Sequence, residues 1–392
     1  MHFRNLFFVF GVTYIEAAWQ FPQKPISIGQ KPMFGIDDVD IVTGSQFNGL
    51  VTYANLPYLN CLSDSEAEGK KYDIAILGAP FDTGVTARPG ARYGPRAIRI
   101  GSERKEADFS WSVYTGKIHL VMLEMAIFNE ILGRNPLRSW ATVVDCGDVP
   151  LTWLDNNVAL AQLDKAHAVV SGRKASNESY STHPRIITLG GDHTTTLSAL
   201  RSTYKRWGEV SVIHFDSHID TWDPAVLGGG LSDYAGLNHG TFLHIAHEEG
   251  LIRNTSIHAG IRAPLSRRKG DMRNDVRCGF STVKARDLDR NGAEGIISLI
   301  KDRVGDSKVY ISVDIDVLDP AFAPATGTPE PGGWSSRELL TILDGLNGLD
   351  IIGGDVVEVS PIYDTSGQTT ALAAAEVVYS LIELMVENPV NH

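Results

Sequence analysis

Short apolar runs recur along the whole chain, and each stops at small or charged residues. They are Ile74-Ala75-Ile76-Leu77, Ala141-Thr142-Val143-Val144, Arg185-Ile186-Ile187-Thr188-Leu189, Val210-Ser211-Val212-Ile213-His214-Phe215, Ser256-Ile257-His258-Ala259-Gly260-Ile261 and Val309-Tyr310-Ile311. Runs this short, rich in β-branched residues and lacking polar alternation, predict strands buried on both faces of a parallel sheet. The stretches from Thr194 to Tyr204 and from Ser335 to Leu346 read as helices between them. Strands alternating with helices predict an α/β fold: a three-layer α/β/α domain around a central, mostly parallel β-sheet. The chain has 392 residues and shows neither an internal repeat nor a low-complexity linker, so one large domain fits better than two.

Three of the runs end in residues that carry chemistry. The first leads into Gly190-Gly191-Asp192-His193, the second into Asp216-Ser217-His218-Ile219-Asp220, and the third into Ser312-Val313-Asp314-Ile315-Asp316-Val317-Leu318-Asp319-Pro320. In open α/β sheets ligands gather beyond the carboxyl ends of the strands, so three separate segments deliver polar groups to one rim. If the backbone stays extended there, Asp216, His218 and Asp220 share a face, as do Asp314 and Asp316. Alone, Gly-Gly-Asp-His is also what a tight turn looks like. The two acidic segments are harder to explain without a cation, because clustered carboxylates repel and burying them unpaired is costly. Together, two imidazoles and at least four carboxylates make the ligand set of a two-metal hydrolytic centre. Oxygen-rich ligation with one imidazole per metal favours Mn²⁺ ahead of Zn²⁺ or Mg²⁺. Cys61, Cys146 and Cys278 lie far apart with no Cys-x-x-Cys pair, and are read as non-ligands.

The order and spacing of these segments resemble the ureohydrolases, the family of arginase, agmatinase and guanidinobutyrase. The third segment continues through Asp319-Pro320-Ala321-Phe322-Ala323-Pro324-Ala325-Thr326-Gly327-Thr328-Pro329-Glu330-Pro331-Gly332-Gly333, which matches the family's longest motif. Upstream, Gly78-Ala79-Pro80-Phe81-Asp82 and Arg88-Pro89-Gly90-Ala91-Arg92-Tyr93-Gly94-Pro95-Arg96-Ala97-Ile98-Arg99 resemble the agmatinase branch. The resemblance spans roughly residues 35 to 390. It implies an arginase-like fold and two Mn²⁺ per chain: His193 on one ion, His218 on the other, Asp216 and Asp314 bridging, Asp220 completing the first shell and Asp316 the second. Two such ions about 3.5 Å apart can acidify a shared water for attack on a guanidinium carbon, releasing urea and a primary amine. It also implies that Asp220 relays a proton, that His239 in Asn238-His239-Gly240-Thr241 is a general acid or shuttle, and that Glu358 in Val357-Glu358-Val359-Ser360-Pro361 grips the guanidinium.

Other features are set aside. His244 and His247 have helical spacing but sit beside Glu248 and Glu249, which reads as a solvated helix face. His214 is assigned to the strand face opposite the ligands. Gly228-Gly229-Gly230 lacks the lysine of a phosphate loop.

Substrate choice rests on the tail of the guanidino compound. The family's arginases read Ser-Gly-Asn before the shuttle histidine; here the stretch is Tyr234-Ala235-Gly236-Leu237-Asn238, which departs from arginine use. Agmatine, with its ammonium tail, and guanidinobutyrate, with a carboxylate, remain. The 35 Lys+Arg against 47 Asp+Glu give a net charge of −12, which steers cations inward and argues against nucleic acid or an anionic membrane as partner. The expected reaction is agmatine to putrescine and urea, with guanidinobutyrase activity as the alternative. A single-zinc deacetylase would need neither Asp220 nor Asp316 as a metal carboxylate, and a non-catalytic member would not keep every ligand. The resemblance implies a homo-oligomer, a trimer or hexamer.

At the N-terminus, a short basic stretch, the apolar run Leu6 to Val12 and Ala17-Ala18 resemble a secretory signal over residues 1–18, too short to span a bilayer. Residues 19–50 read as an extension and 51–392 as the catalytic domain. The sequons Asn177-Glu178-Ser179 and Asn254-Thr255-Ser256 permit secretion, and three cysteines leave one unpaired in any disulfide pairing. The apolar stretch 118–133 departs from the family pattern and reads as a partner-facing helix or as a gene-model error such as a retained intron.

Overall fold

The computed structural model describes residues 49–108, 110–114, 116–123, 126–232 and 234–390. The signal-like segment 1–18 and nearly all of the 19–50 extension lie outside the described residues. The strands are β1 (Ile74–Gly78), β2 (Gly116–Leu123), β3 (Ala126–Gly133), β4 (Val143–Asp148), β5 (Arg185–Leu189), β6 (Ser211–Phe215), β7 (Ser256–Ile261), β8 (Phe280–Lys284), β9 (Lys308–Asp314) and β10 (Asp350–Val357). The helices are α1 (Asp64–Ala67), α2 (Gly94–Gly101), α3 (Asn156–Ser171), α4 (Thr195–Trp207), α5 (Phe242–Glu248), α6 (Arg268–Arg277), α7 (Leu288–Val304), α8 (Ser336–Gly345) and α9 (Thr369–Glu387).

Eight strands form one sheet in the order β4-β1-β5-β10-β9-β6-β7-β8, and every neighbouring pair is parallel. β1, β5 and β6 are buried at every position, which accounts for their unbroken apolar character. One face packs against α7, α8 and α9 through Ile213, Ile257, Ile311, Leu339, Val378 and Leu381, and the other against α3, α4 and α5. The three layers are those the sequence predicts. α8 begins where Ser335 and Glu338 form a reciprocal capping box. α9 is long and apolar enough to cross a membrane, yet most of it is buried as a core helix.

Within the segment 118–133, residues 118–123 belong to β2 and 126–133 to β3, which pair antiparallel as a separate two-stranded sheet. The helix offered for it is therefore incorrect; a stretch rich in Ile, Val and Phe meets the preference for extended pairing instead. Cys61 and Cys146 form a disulfide that ties the segment before β1 to the edge strand β4, while Cys278 is buried as a free thiol.

Candidate metal and substrate site

The four central strands β5, β10, β9 and β6 lie side by side, and each ends in a residue singled out above. His193 follows β5, Glu358 follows β10, Asp314 closes β9, and Asp216, His218 and Asp220 follow β6. The loop after β5 must pass close to the loop after β1. A Cβ on Gly191 would stand 1.8 Å from the Phe81 carbonyl oxygen, so only glycine allows the approach.

The backbone does not stay extended through the acidic segments, which corrects the period-two expectation. Asp216 Oδ1 accepts the N–H of His218 at 2.5 Å, and Asp314 Oδ1 accepts that of Asp316 at 2.8 Å, so each carboxylate folds the chain into a turn around itself. Asp220 and Glu358 adopt left-handed backbones, φ 48° and 61°, conformations that non-glycine residues hold only where the surroundings enforce them. Convergence comes from these turns.

The atoms meet in two overlapping groups. His193, His214, Asp216 and Asp220 place one donor atom each within 4.8 Å of one another, and Asp216, His218 and Asp316 do the same. Asp216 belongs to both. Within the first, His193 Nδ1 lies 3.2 Å from Asp216 Oδ2, 3.2 Å from Asp220 Oδ2 and 3.4 Å from Asp314 Oδ2. Within the second, His218 Nδ1 lies 3.0 Å from Asp316 Oδ2 and 3.3 Å from Asp216 Oδ1. His193 Nδ1, His214 Nε2 and Asp216 Oδ2 are buried without a well-aligned hydrogen-bond partner among the described residues, as metal donors are when their lone pairs converge. The residues present fit a pair of divalent cations sharing Asp216.

The electrostatics agree. Burial pulls the His193 ring down, but the close carboxylates of Asp216, Asp220 and Asp314 overcome it and hold the ring well above its ordinary value. His218 is raised likewise by Asp316 and Asp216 against its burial. Burial and then the charges of Asp316 and Asp216 push Asp314 far above the carboxylate range. Burial and Asp216 push Asp220 up to about 6. So much negative charge draws positive charge to itself, whether protons or metal ions.

His214 is assigned by sequence to the opposite face, and the structure corrects this. It lies two residues before Asp216, and its Nε2 sits 3.1 Å from Asp216 Oδ2. His244 lies on α5, as its spacing suggests, but it is buried against Asn274 and Arg277 and is not solvated. The sequence reading also passes over the residues behind the ligands. Ser217 donates from its N–H and its hydroxyl to Asp316 Oδ1 at 3.0 and 2.8 Å. Arg262 donates to the carbonyls of Asp316, Val317, Leu318 and Glu330, clamping the loop after β9. No local motif marks these contacts, because each crosses between strands distant in sequence.

A second cluster borders the first. Glu358 Oε1 accepts the His193 N–H at 2.8 Å and lies 3.3 Å from His239 Nδ1, while Oε2 is buried and unpaired among the described residues. Gly327 faces that oxygen; a Cβ there would come within 3.2 Å of it. Thr86 N and Oγ1 lie 3.2 and 2.9 Å from His239 Nε2. Burial lowers the His239 ring, but the hydrogen bond and charge of Glu358, then Asp220 and Asp192, raise it to about 9.

A family model described as the arginase family matches residues 72–383. Among curated proteins, "Putative agmatinase 1" of Schizosaccharomyces pombe is 48% identical over 362 residues, covering 90% of this chain and 86% of its own length. Among solved structures, proclavaminate amidino hydrolase from Streptomyces clavuligerus superposes with a TM-score of 0.70 at 31% identity, over 88% of this chain and 99% of its own. A hypothetical agmatinase from Burkholderia thailandensis gives 0.68 at 32% identity, over 87% and 91%.

Proposed function

The chain belongs to the arginase family and is a metal-dependent ureohydrolase, and on that premise we propose that it hydrolyses agmatine to putrescine and urea with two Mn²⁺ ions per chain. One observation carries the reading: a buried, unpaired carboxylate oxygen, Glu358 Oε2, beside the two overlapping donor groups. A guanidinium set against that oxygen gains a charge-assisted hydrogen bond where the alternative is an orphaned buried acceptor. A zinc deacetylase, with one metal, leaves the Asp216-His218-Asp316 group without a purpose.

His193, Asp216, Asp220 and Asp314 would hold one ion, and Asp216, His218, Asp314 and Asp316 the other. The oxygen-rich set favours Mn²⁺ over Zn²⁺. Such a pair supplies Lewis acidity and an acidified water. The chain's own groups do the rest. Glu358 orients the guanidinium, Asp220 can take up a proton and pass it on, and His239 donates one to the departing amine.

The cleft outside Thr83 supports an ammonium tail. Its lining residues are Thr83, Trp153, Leu154, Asp155, Asn156, Asn157 and Tyr234, an acid with neutral neighbours. Arg88 supports the second reading, guanidinobutyrate. Its N–H bonds the Gly327 carbonyl next to Glu358, and its exposed guanidinium lies 5.4 Å from the centre of the Tyr363 ring, where a tail carboxylate could reach it. Turnover of agmatine, guanidinobutyrate and arginine by Mn²⁺-loaded protein tests this. Preference for agmatine supports the proposal, preference for guanidinobutyrate shifts it to Arg88, and no urea from any of them at full metal occupancy overturns it.

The protein is further read as a homo-oligomer, trimer or hexamer, which light scattering of the purified chain would measure. A secretory route is supported by the Cys61–Cys146 disulfide. On that route Asn254, exposed, is the sequon open to a glycan, since Asn177 Nδ2 is engaged by Trp140 and Asp73. A glycosidase-sensitive mass at Asn254 in secreted protein is the expected result; unmodified protein retained in the cytosol would overturn it.

A further inference from the structure

His239 stands in the long connection between β6 and α5, so no strand aims it, and its position comes from the contacts it makes. Glu358 Oε1 faces its ring Nδ1 at 3.3 Å. The loop after β1 meets both its main chain and the far side of its ring. The Gly84 carbonyl accepts the His239 main-chain N–H at 3.2 Å, and Thr86 N and Oγ1 lie 3.2 and 2.9 Å from Nε2. Thr83, Thr86 and Arg88 on that loop are exposed, so it has little of the buried apolar surface that fixes a strand or a helix.

Asp192 is what holds this loop in place. It precedes the proposed ligand His193, yet its carboxylate belongs to neither donor group. Its Oδ1 accepts the Thr194 N–H at 2.9 Å, a local turn, and its Oδ2 accepts the Gly84 N–H at 2.8 Å, 108 positions away. Its own N–H goes to the Phe81 carbonyl at 2.7 Å, so Asp192 grips the loop at both ends of the stretch 81–84. The residue is fully buried. A turn at the start of α4 needs Oδ1 alone, since one acceptor suffices to cap a helix, and nothing local requires Oδ2. The fit is close: a Cβ on Gly84 would stand 2.4 Å from Thr194 Oγ1 and 3.1 Å from Asp192 Oδ2. A carboxylate offers an acceptor to each of the two N–H groups, whereas an amide in its place turns one of those acceptors into a donor.

We propose that Asp192 is a positioning residue for His239, acting through the main chain of Gly84: the carboxylate sets the loop, and the loop sets the histidine against Glu358. The inference rests on the reading of His239 as the proton donor and adds the residue that aims it. In this role Asp192 touches neither substrate nor metal. Its removal therefore acts on the step that His239 serves, while Glu358 still anchors the guanidinium and the ligands still hold their ions. Misplacing a reacting group by about 1 Å can cost on the order of 10²-fold in rate.

Steady-state kinetics and metal analysis of the full, Mn²⁺-loaded chain test this, with the preferred guanidino compound as substrate. Asp192→Asn should lower kcat about 10–100-fold, with KM and metal content those of the parent. Made on top of His239→Asn, the same change should cost nothing further, because the group it positions is already gone. Asp192→Asn also removes a charge that Glu358 and His239 feel. Gly84→Ala is the control. It keeps every charge, pushes the loop off Thr194 and Asp192, and should give the same loss in kcat and the same silence in the His239→Asn background. Should Asp192→Asn fail to fold, Gly84→Ala decides alone. An equal loss in both backgrounds, loss of metal from Asp192→Asn, or the parent's kcat in Gly84→Ala would overturn the proposal. Turnover of His239→Asn at the parent's rate would instead overturn the reading of His239 on which it rests.

Discussion

Glu358 Oε1 accepts the main-chain N–H of His193 at 2.8 Å, so the proposed substrate anchor and a proposed metal ligand are bound to each other before either meets its target. The bond spans β10 and β5, adjacent strands, and needs the left-handed backbone at Glu358 to aim the carboxylate back across them. With Oε1 committed, Oε2 alone is free for the guanidinium. Glu358→Gln keeps the shape and the acceptor for His193 but removes the charge. It should lower kcat/KM by about 30- to 5,000-fold, because a charge-assisted bond to a desolvated partner is worth roughly 2–5 kcal/mol. Metal content should stay that of the parent, so kinetics and metal analysis on one preparation check both halves.

Asp314→Asn acts on the other side of the site. Asp314 Oδ2 faces His193 Nδ1 at 3.4 Å, and its Oδ1 holds the turn to Asp316. The amide preserves an acceptor for the turn and removes a negative charge from between the ions. Metal per chain should fall and turnover should vanish, measured by elemental analysis after gel filtration. Retention of both metals and full activity would show that Asp314 is no ligand.

His239→Asn should leave metal binding in place and slow the reaction about 10²–10⁴-fold, the span typical of losing a general acid. The parent's pH profile carries a further mark. The ring is raised from its ordinary 6.5 to about 9, so the proton-bearing form persists through neutral pH and is lost as pH rises through about 9. Stability from the Glu358 pair follows the same course, fully present below about 6.5 and gone above about 9. Turnover of the parent should decline across that limb, and the limb should be missing in the variant.

The layers of the fold and the identity of the ligands were legible because both are local. Unbroken apolar runs such as Ile74–Leu77 announce buried parallel strands, and the acidic segments follow them directly. β8 and most of β10 were not, since Phe280–Lys284 alternates at an edge and Gly353-Gly354 interrupts the apolar run of β10. His214 was misplaced although its parity with Asp216 was readable. Ser217 and Arg262 could not be found from spacing at all. Their partners lie tens of residues away, and a hydrogen bond that closes across strands leaves no periodic trace in the chain. The turns that gather the carboxylates are also invisible in sequence: nothing about Asp220 or Glu358 advertises a left-handed backbone.

The Cys61–Cys146 bond closes a loop with a sequence separation of 85 residues and anchors the edge strand β4. Constraining a loop of that length in the unfolded chain stabilises the fold by about 2–5 kcal/mol. Cys61→Ser should cost that amount in denaturant unfolding, and adding reductant to the variant should change nothing more. Thiol counting should find one reactive cysteine in the denatured, unreduced parent, namely Cys278.

His167 offers a test of acid stability that does not involve the metals. The side chain lies on α3, fully buried beside a small cavity that Ile186, Ala199, Tyr310 and Ile352 line together with Ser202 and Arg206, and neither ring nitrogen has a partner among the described residues. Burial alone lowers the ring from 6.5 to about 4. The folded protein therefore keeps His167 neutral where the unfolded chain already takes up a proton. Stability from this group is intact above about 6.5, falls as pH drops below that value, and the loss is complete near 4. The shift corresponds to about 3 kcal/mol. His167→Leu, of similar bulk, removes the proton uptake and two unpaired buried nitrogens. It should match or exceed the parent at pH 7 and lose about 3 kcal/mol less between pH 7 and 4, read as a difference in urea midpoints. Parallel acid limbs in the two proteins would mean that His167 finds a partner the described residues do not supply.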